Sequence, residues 1–218
     1  MNSAIIQLLV LAGIAIFLIL RLRNVLGTRE GFEKPREDQP RADTRRGDFE
    51  VIEGGVDRDI ADHVAEGSDS ADALARMKRI EGSFGVGDFL GGARGAYEMI
   101  LMAFENGDLG EVSGFLSDDV GEAFQSVIDA REAQGLTVEA SFVGISELEL
   151  ARATFNDETS EAELTVRFVA ELTSAVRDKA GDVVEGDVTK IKRQRDVWTF
   201  ARIMGANDPN WQLVATGE

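Results

Sequence analysis

The chain has 218 residues, 44% of them apolar, and a formal net charge of −17. That length holds one domain of ordinary size plus additional segments, and the absence of cysteine excludes disulfides, Cys-type zinc sites and thiol catalysis. Residues 1–46 carry a net +3, eight basic side chains against five acidic, which leaves −20 on the rest and excludes nucleic acid as a partner of the folded part.

The first element is an apolar run, Ala4 to Leu20, 17 residues with Gln7 as its one polar side chain. Such a run is near the lower limit for crossing a hydrocarbon core of about 30 Å; Leu22, Val25 and Leu26 extend it while Arg21 and Arg23 snorkel. No basic residue precedes the run and no small-x-small cleavage pattern follows it, so it reads as an uncleaved anchor rather than a signal peptide. Residues 1–26 are therefore expected to form a transmembrane anchor, with Ile5, Leu9, Ile14, Phe17 and Leu20 facing lipid. All nearby positive charge follows the run, which places the N-terminus outside and the C-terminal domain in the cytoplasm of a bacterial inner membrane, as a single-pass protein. A mitochondrial transit peptide would be amphipathic and Arg-rich instead.

Residues 27–56 mix dense charge with Pro35 and Pro40 and show almost no apolar periodicity; they read as a disordered linker, because they cannot bury enough surface to offset their ordering entropy. Residues 57–81 read as a weakly helical connector, with Ile60 and Val64 in one piece, Leu74, Met77 and Ile80 in another, and an interruption at Gly67-Ser68. His63, the chain's one histidine, lies here beside Asp59 and Asp62; alone it makes no metal site.

The folded domain is expected over 82–218. Phe89, Ala93, Ala96, Tyr97, Ile100, Leu101 and Phe104 line one face of a helix of more than four turns, with Asp88 as candidate N-cap and Asn106-Gly107 as the stop. A short helix carrying Leu109, Val112, Phe115 and Leu116 follows, then a third capped by Ser117 and ended by Gly135. From Leu136 the period changes to that of strands. Leu136 to Phe155 shifts phase near Gly144, which predicts a bulge. Ala162, Leu164, Val166, Phe168 and Ala170 alternate cleanly, Val184 to Ile203 gives a third strand, and Trp211, Leu213 and Ala215 a fourth after the Asn207-Asp208-Pro209-Asn210 turn. Three helices followed by a four-stranded antiparallel meander predict an α+β fold, helices packed on one face of a curved, cone-like sheet with a pocket between them.

Phe89-Leu90-Gly91-Gly92-Ala93-Arg94-Gly95-Ala96-Tyr97, Ala103-Phe104-Glu105-Asn106-Gly107-Asp108, Asp196-Val197-Trp198-Thr199-Phe200-Ala201-Arg202 and Asp208-Pro209-Asn210-Trp211-Gln212-Leu213-Val214-Ala215-Thr216 resemble, in order and spacing, the Tim forty-four-like family. The resemblance covers about Gly82 to Glu218, and an N-terminal span with a charged linker is similar to alphaproteobacterial members. It implies a fold like nuclear transport factor two, the cystatin-like cone. It also implies the roles of the mitochondrial relatives, which hold a chaperone motor at the presequence translocase and bind anionic lipid through the C-terminal domain. The expected function is thus an inner-membrane-tethered adaptor or scaffold linked to protein translocation or membrane-protein biogenesis. Its implied partners are the membrane, a translocase or chaperone, and anionic lipid. The alternative is an isomerase- or dehydratase-type enzyme using the cone pocket, which needs a buried acid or base; with no histidine in 82–218 and no acid on the apolar face of Ala162 to Ala170, neither catalysis nor a cofactor or metal is expected. Phe84, Phe89, Leu90, Tyr97, Arg202 and Trp211 are the candidate lipid or partner surface. Arg167 and Arg202 are expected to pair with carboxylates such as Asp196 or Asp208.

Overall fold

A computed structural model describes residues 57–217. The expected anchor, with Ile5, Leu9, Ile14, Phe17 and Leu20, and the expected linker 27–56 lie outside the described residues. Among the described residues no helix is long and apolar enough to cross a membrane.

The described chain runs α1 (Arg58–Ala61), α2 (Asp69–Ile80), α3 (Val86–Asn106), a 3-10 turn (Gly110–Phe115), α4 (Asp118–Gln134), then β1 (Thr137–Asn156), β2 (Glu161–Arg177), β3 (Val183–Ile203) and β4 (Gln212–Gly217). The strands form one antiparallel sheet in the order β1-β2-β3-β4. The α+β class and four-stranded meander are as expected from sequence. One helix differs: the expected short helix around Leu109 to Leu116 is a 3-10 turn.

The stretch read as a connector holds α2. Ser68 Oγ accepts the Ala71 N–H at 3.2 Å, Asp69 and Asp72 sit in the first turn and Lys78 and Arg79 in the last, so both ends complement the helix dipole. Leu74 and Met77 are 0% exposed and Ala73 1%, in the same core as α3 and the sheet, with α2 seated on β1. The periodicity is faint because Ala73, with the partly buried Ala71 and Ala75 beside it, gives close approach without hydrophobic bulk.

Helix α3 starts two residues before the expected cap. Gly85 stands at the N-cap without a side chain to donate or accept, and Asp88 falls inside the first turn. The cap comes instead from Asp59, whose carboxylate accepts the N–H of Val86 at 2.7 Å and of Gly87 at 3.0 Å, while Lys78 Nζ reaches Asp57 at 2.8 Å and Asp59 at 2.7 Å. Burial pushes the Asp59 carboxyl up, but Lys78 and the two N–H groups outweigh it and hold it at about 2. A depressed folded-state pKa stabilises above the ordinary aspartate value near 4 and is lost as pH falls through 2. The stability difference between wild type and Asp59→Asn, measured by urea unfolding, is therefore expected to be full at pH 5 and to close between about pH 4 and pH 2; a difference unchanged at pH 2 would remove the charge from this cap. At its other end α3 stops as expected, on Gly107 at φ 76°, a left-handed position that suits glycine.

The core face of β2 reads directly from the sequence: Ala162, Leu164, Val166, Phe168 and Ala170 are all 0% exposed. In β1 the single expected bulge near Gly144 is one of three, with register shifts at Phe142/Gly144, Ile145/Glu147 and Leu150/Arg152. Each extra residue moves the following side chains to the other face and bends the strand. Helix α3 lies against the sheet through Tyr97, which stacks on Phe168 at 4.4 Å and meets Trp198 at 4.6 Å.

Candidate functional site

A cleft of about 320 Å³ opens between the amino-terminal half of α3 and the β3–β4 hairpin. Its walls are Phe84 and Phe89 on one side and Phe200 and Trp211 on the other, with Phe115 from the 3-10 turn at one end. Phe89 meets Trp211 edge-on at 4.8 Å and Phe200 at 5.9 Å, and Phe84 lies 6.0 Å from Trp211. Gly92 leaves the helix side hollow: a methyl group there would meet nothing within 4 Å. Glu81, Ser83 and Asp88 supply polar groups to the lining.

Arg202 ties the cleft together. Its side chain is 8% exposed; Nη2 donates to Glu81 Oε2 at 2.7 Å and Nη1 to the Pro209 carbonyl at 3.1 Å. The guanidinium lies 5.1 Å from the Trp211 ring centroid, a cation–π contact that offsets part of its desolvation. Buried Nε has no hydrogen-bond partner among the described residues. Glu81 also accepts the Gly205 N–H at 3.3 Å. Burial pushes its carboxyl up, but the bonds from Arg202 and Gly205 outweigh this and hold it below the ordinary glutamate range. One arginine thus joins the end of α2, the start of β4 and the intervening turn.

Of the six residues expected as a surface, Phe84, Phe89, Arg202 and Trp211 come together around the cleft, whereas Leu90 and Tyr97 do not line it. The expectation of an exposed apolar surface is corrected for Phe84, Phe89 and Leu90, each 7% exposed, because the hairpin and the neighbouring helices cover them. Tyr97 is fully buried and its hydroxyl donates to Asp196 at 2.5 Å, with Gln194 donating to the same oxygen at 2.9 Å. Burial first and the Asp196 carboxylate second push the Tyr97 phenol well above its usual range. The expected arginine pairings change accordingly: Arg167 pairs with Glu149 at 2.9 Å and Arg202 with Glu81, while Asp196 serves Tyr97. Glu81 carries no local sequence signal for this role, because it stands 121 residues from its partner.

Comparison with known proteins gives one family: the model described as "Tim44-like domain" matches residues 70–218, a stretch that opens inside α2. No curated protein matches the chain. Among solved structures, "Crystal structure of intermembrane space region of chloroplast protein ARC6" is similar at 8% identity and a TM-score of 0.32, over 48% of this chain and 72% of that one.

Proposed function

The chain belongs to the Tim44-like domain family, and from that premise we propose that it is a membrane-tethered adaptor or scaffold whose domain binds its partner in the cleft beside Arg202. The observation that carries this reading is the cleft itself, an aromatic-walled hollow beside Gly92 that gathers Phe84, Phe89, Phe200 and Trp211 around Arg202. The apolar run from Ala4 to Leu20 supports the tether, and the positive charge after it supports a cytoplasmic domain at a bacterial inner membrane. The bulged, curved sheet supports a cone of the nuclear transport factor two type. A protein partner engaged in translocation or membrane-protein biogenesis, or an anionic lipid, is the class of ligand this reading predicts.

Binding is favoured over catalysis because Glu81 in the cleft is tied to Arg202 and Gly205, which hold its carboxyl below the ordinary glutamate range and suit it to pairing rather than proton transfer. Tyr97 and Asp196 make the domain's tightest acid–hydroxyl contact, yet Tyr97 is stacked in the core against Phe168 and neither residue lines the cleft.

Two measurements test the proposal. Removal of Met1 to Leu26 is expected to move the chain from the membrane pellet to the supernatant; continued sedimentation would reveal a second attachment. Gly92→Leu fills the cleft and, by replacing glycine inside a helix, adds about 0.5–1 kcal/mol of stability. In-cell crosslinking of this variant should lose the neighbours that wild type captures, and an unchanged set of neighbours would move the binding site elsewhere.

A further inference from the structure

The far end of β3 carries a feature that the cleft does not use. Between the register pairs Leu172↔Lys192 and Ser174↔Asp187, four residues of β3, Val188 to Ile191, stand opposite the single Thr173. The projection is braced: Asp187 Oδ1 accepts the Thr189 N–H at 2.9 Å and the Thr189 hydroxyl at 2.6 Å, and Asp187 pairs with Lys190 at 3.1 Å. At its end Ile191 is 61% exposed, the highest value among the exposed large apolar residues of the described chain. Lys190, Lys192 and Arg195 beside it are exposed too, a basic island on a part of the chain whose net charge is −20. The outer edge of β3 is open here, since β4 pairs only with Val197 to Ala201.

An exposed aliphatic side chain next to a lysine is the complement of an aromatic cleft that carries Asp88 in its lining, Glu81 there being already paired with Arg202. Ile191 and Phe200 are nine residues apart on one strand, roughly 30 Å at 3.3 Å per residue, so a chain cannot place its own projection in its own cleft. We propose that the cleft receives Ile191 of a second copy of this chain, with Lys192 of that copy facing Asp88, so that copies associate head to tail. Such a contact is heterologous: each copy keeps a free cleft at one end and a free projection at the other, and the series closes into a ring or continues as a row. The buried area is small, which makes the contact weak in solution, and the surface charges make it sensitive to salt. The inference rests on the cleft being the binding site and names a partner for it.

The chain has no cysteine, so single introduced thiols report contact without background. Full-length Ser83→Cys, at the cleft, and full-length Thr189→Cys, on the projection with Ile191 intact, are mixed in detergent micelles and oxidised with copper phenanthroline. The mixture should give disulfide dimers in severalfold higher yield than either variant alone. Ile191→Asp or Lys192→Glu placed in the Thr189→Cys chain should lower that yield severalfold, and Asp88→Lys in the Ser83→Cys chain should restore it for Lys192→Glu. Circular dichroism checks that each exposed substitution leaves the fold intact. A mixed yield no higher than the single-variant yields overturns the proposal. So does a mixed yield that neither Ile191→Asp nor Lys192→Glu lowers, which would take the projection out of the contact. If crosslinking fails while Gly92→Leu still loses its neighbours, the cleft remains the binding site and only the second copy is ruled out.

Discussion

A chain shortened to begin at Gly82 should lose cooperative folding, whereas one beginning at Asp57 should keep it. The shorter chain lacks Leu74 and Met77, both fully buried, together with Ala73. Removing even one such side chain to alanine costs about 2–5 kcal/mol, against a total stability on the order of 5–15 kcal/mol for a domain. It also uncovers the part of the sheet on which α2 lies and strands Arg202 without Glu81. The expected result is a broad, weak thermal transition by circular dichroism for the fragment from Gly82 and a sharp one for the fragment from Asp57. Leu74→Ala in the longer fragment should lower stability by about 2–5 kcal/mol in urea unfolding. Coincident sharp transitions for the two fragments would show that α2 is an ornament of the domain rather than part of its core.

Arg202→Ala should cost about 2–4 kcal/mol, somewhat under the range for stranding one partner of a buried pair, because Glu81 retains some contact with water at 26% exposure. Arg202→Lys should recover less than half of the loss, since one ammonium cannot reach Glu81 and the Pro209 carbonyl in fork geometry and does not stack on Trp211 in the same way. The pair has a pH signature with a definite sign. Because the Glu81 carboxyl is held below its ordinary value, its contribution is complete above the usual glutamate range near 4.3 and declines as the solution is acidified below it. A double-mutant cycle between Arg202→Ala and Glu81→Gln at pH 7 should give a coupling of at least about 1 kcal/mol; additive losses would reduce the pair to a neutral contact.

Structure is legible in the sequence where one physical rule acts alone. In β2 the period of two survives unbroken from Ala162 to Ala170, and every one of those side chains is buried. In β1 the same rule is reset three times by bulges, so its phase carries information only in short pieces. Helix α2 was faint because alanine contributes shape rather than hydrophobicity to its buried face. The true cap of α3 could not be read locally: Asp59 lies 27 residues before the N–H group it receives, and the nearer Asp88 has the right chemistry in the wrong turn. The candidate site shows the same division. Phe84, Phe89, Arg202 and Trp211 were legible as a group by their chemistry, but hydrophobicity does not say which neighbour covers a ring, and that decided between an open surface and the walls of a cleft.

The clasp formed by Asp57, Asp59 and Lys78 determines where mechanical load enters the domain. Tension on the chain before Asp57 passes into the two ion pairs to Lys78 and the two hydrogen bonds at the head of α3, and so onto the helix that forms one wall of the cleft. Pulling on the polypeptide and filling the hollow thus act on the same few turns of helix. A force strong enough to open the clasp would fray α3 next to Phe89, and an occupant that steadies Phe89 would raise the force the clasp withstands.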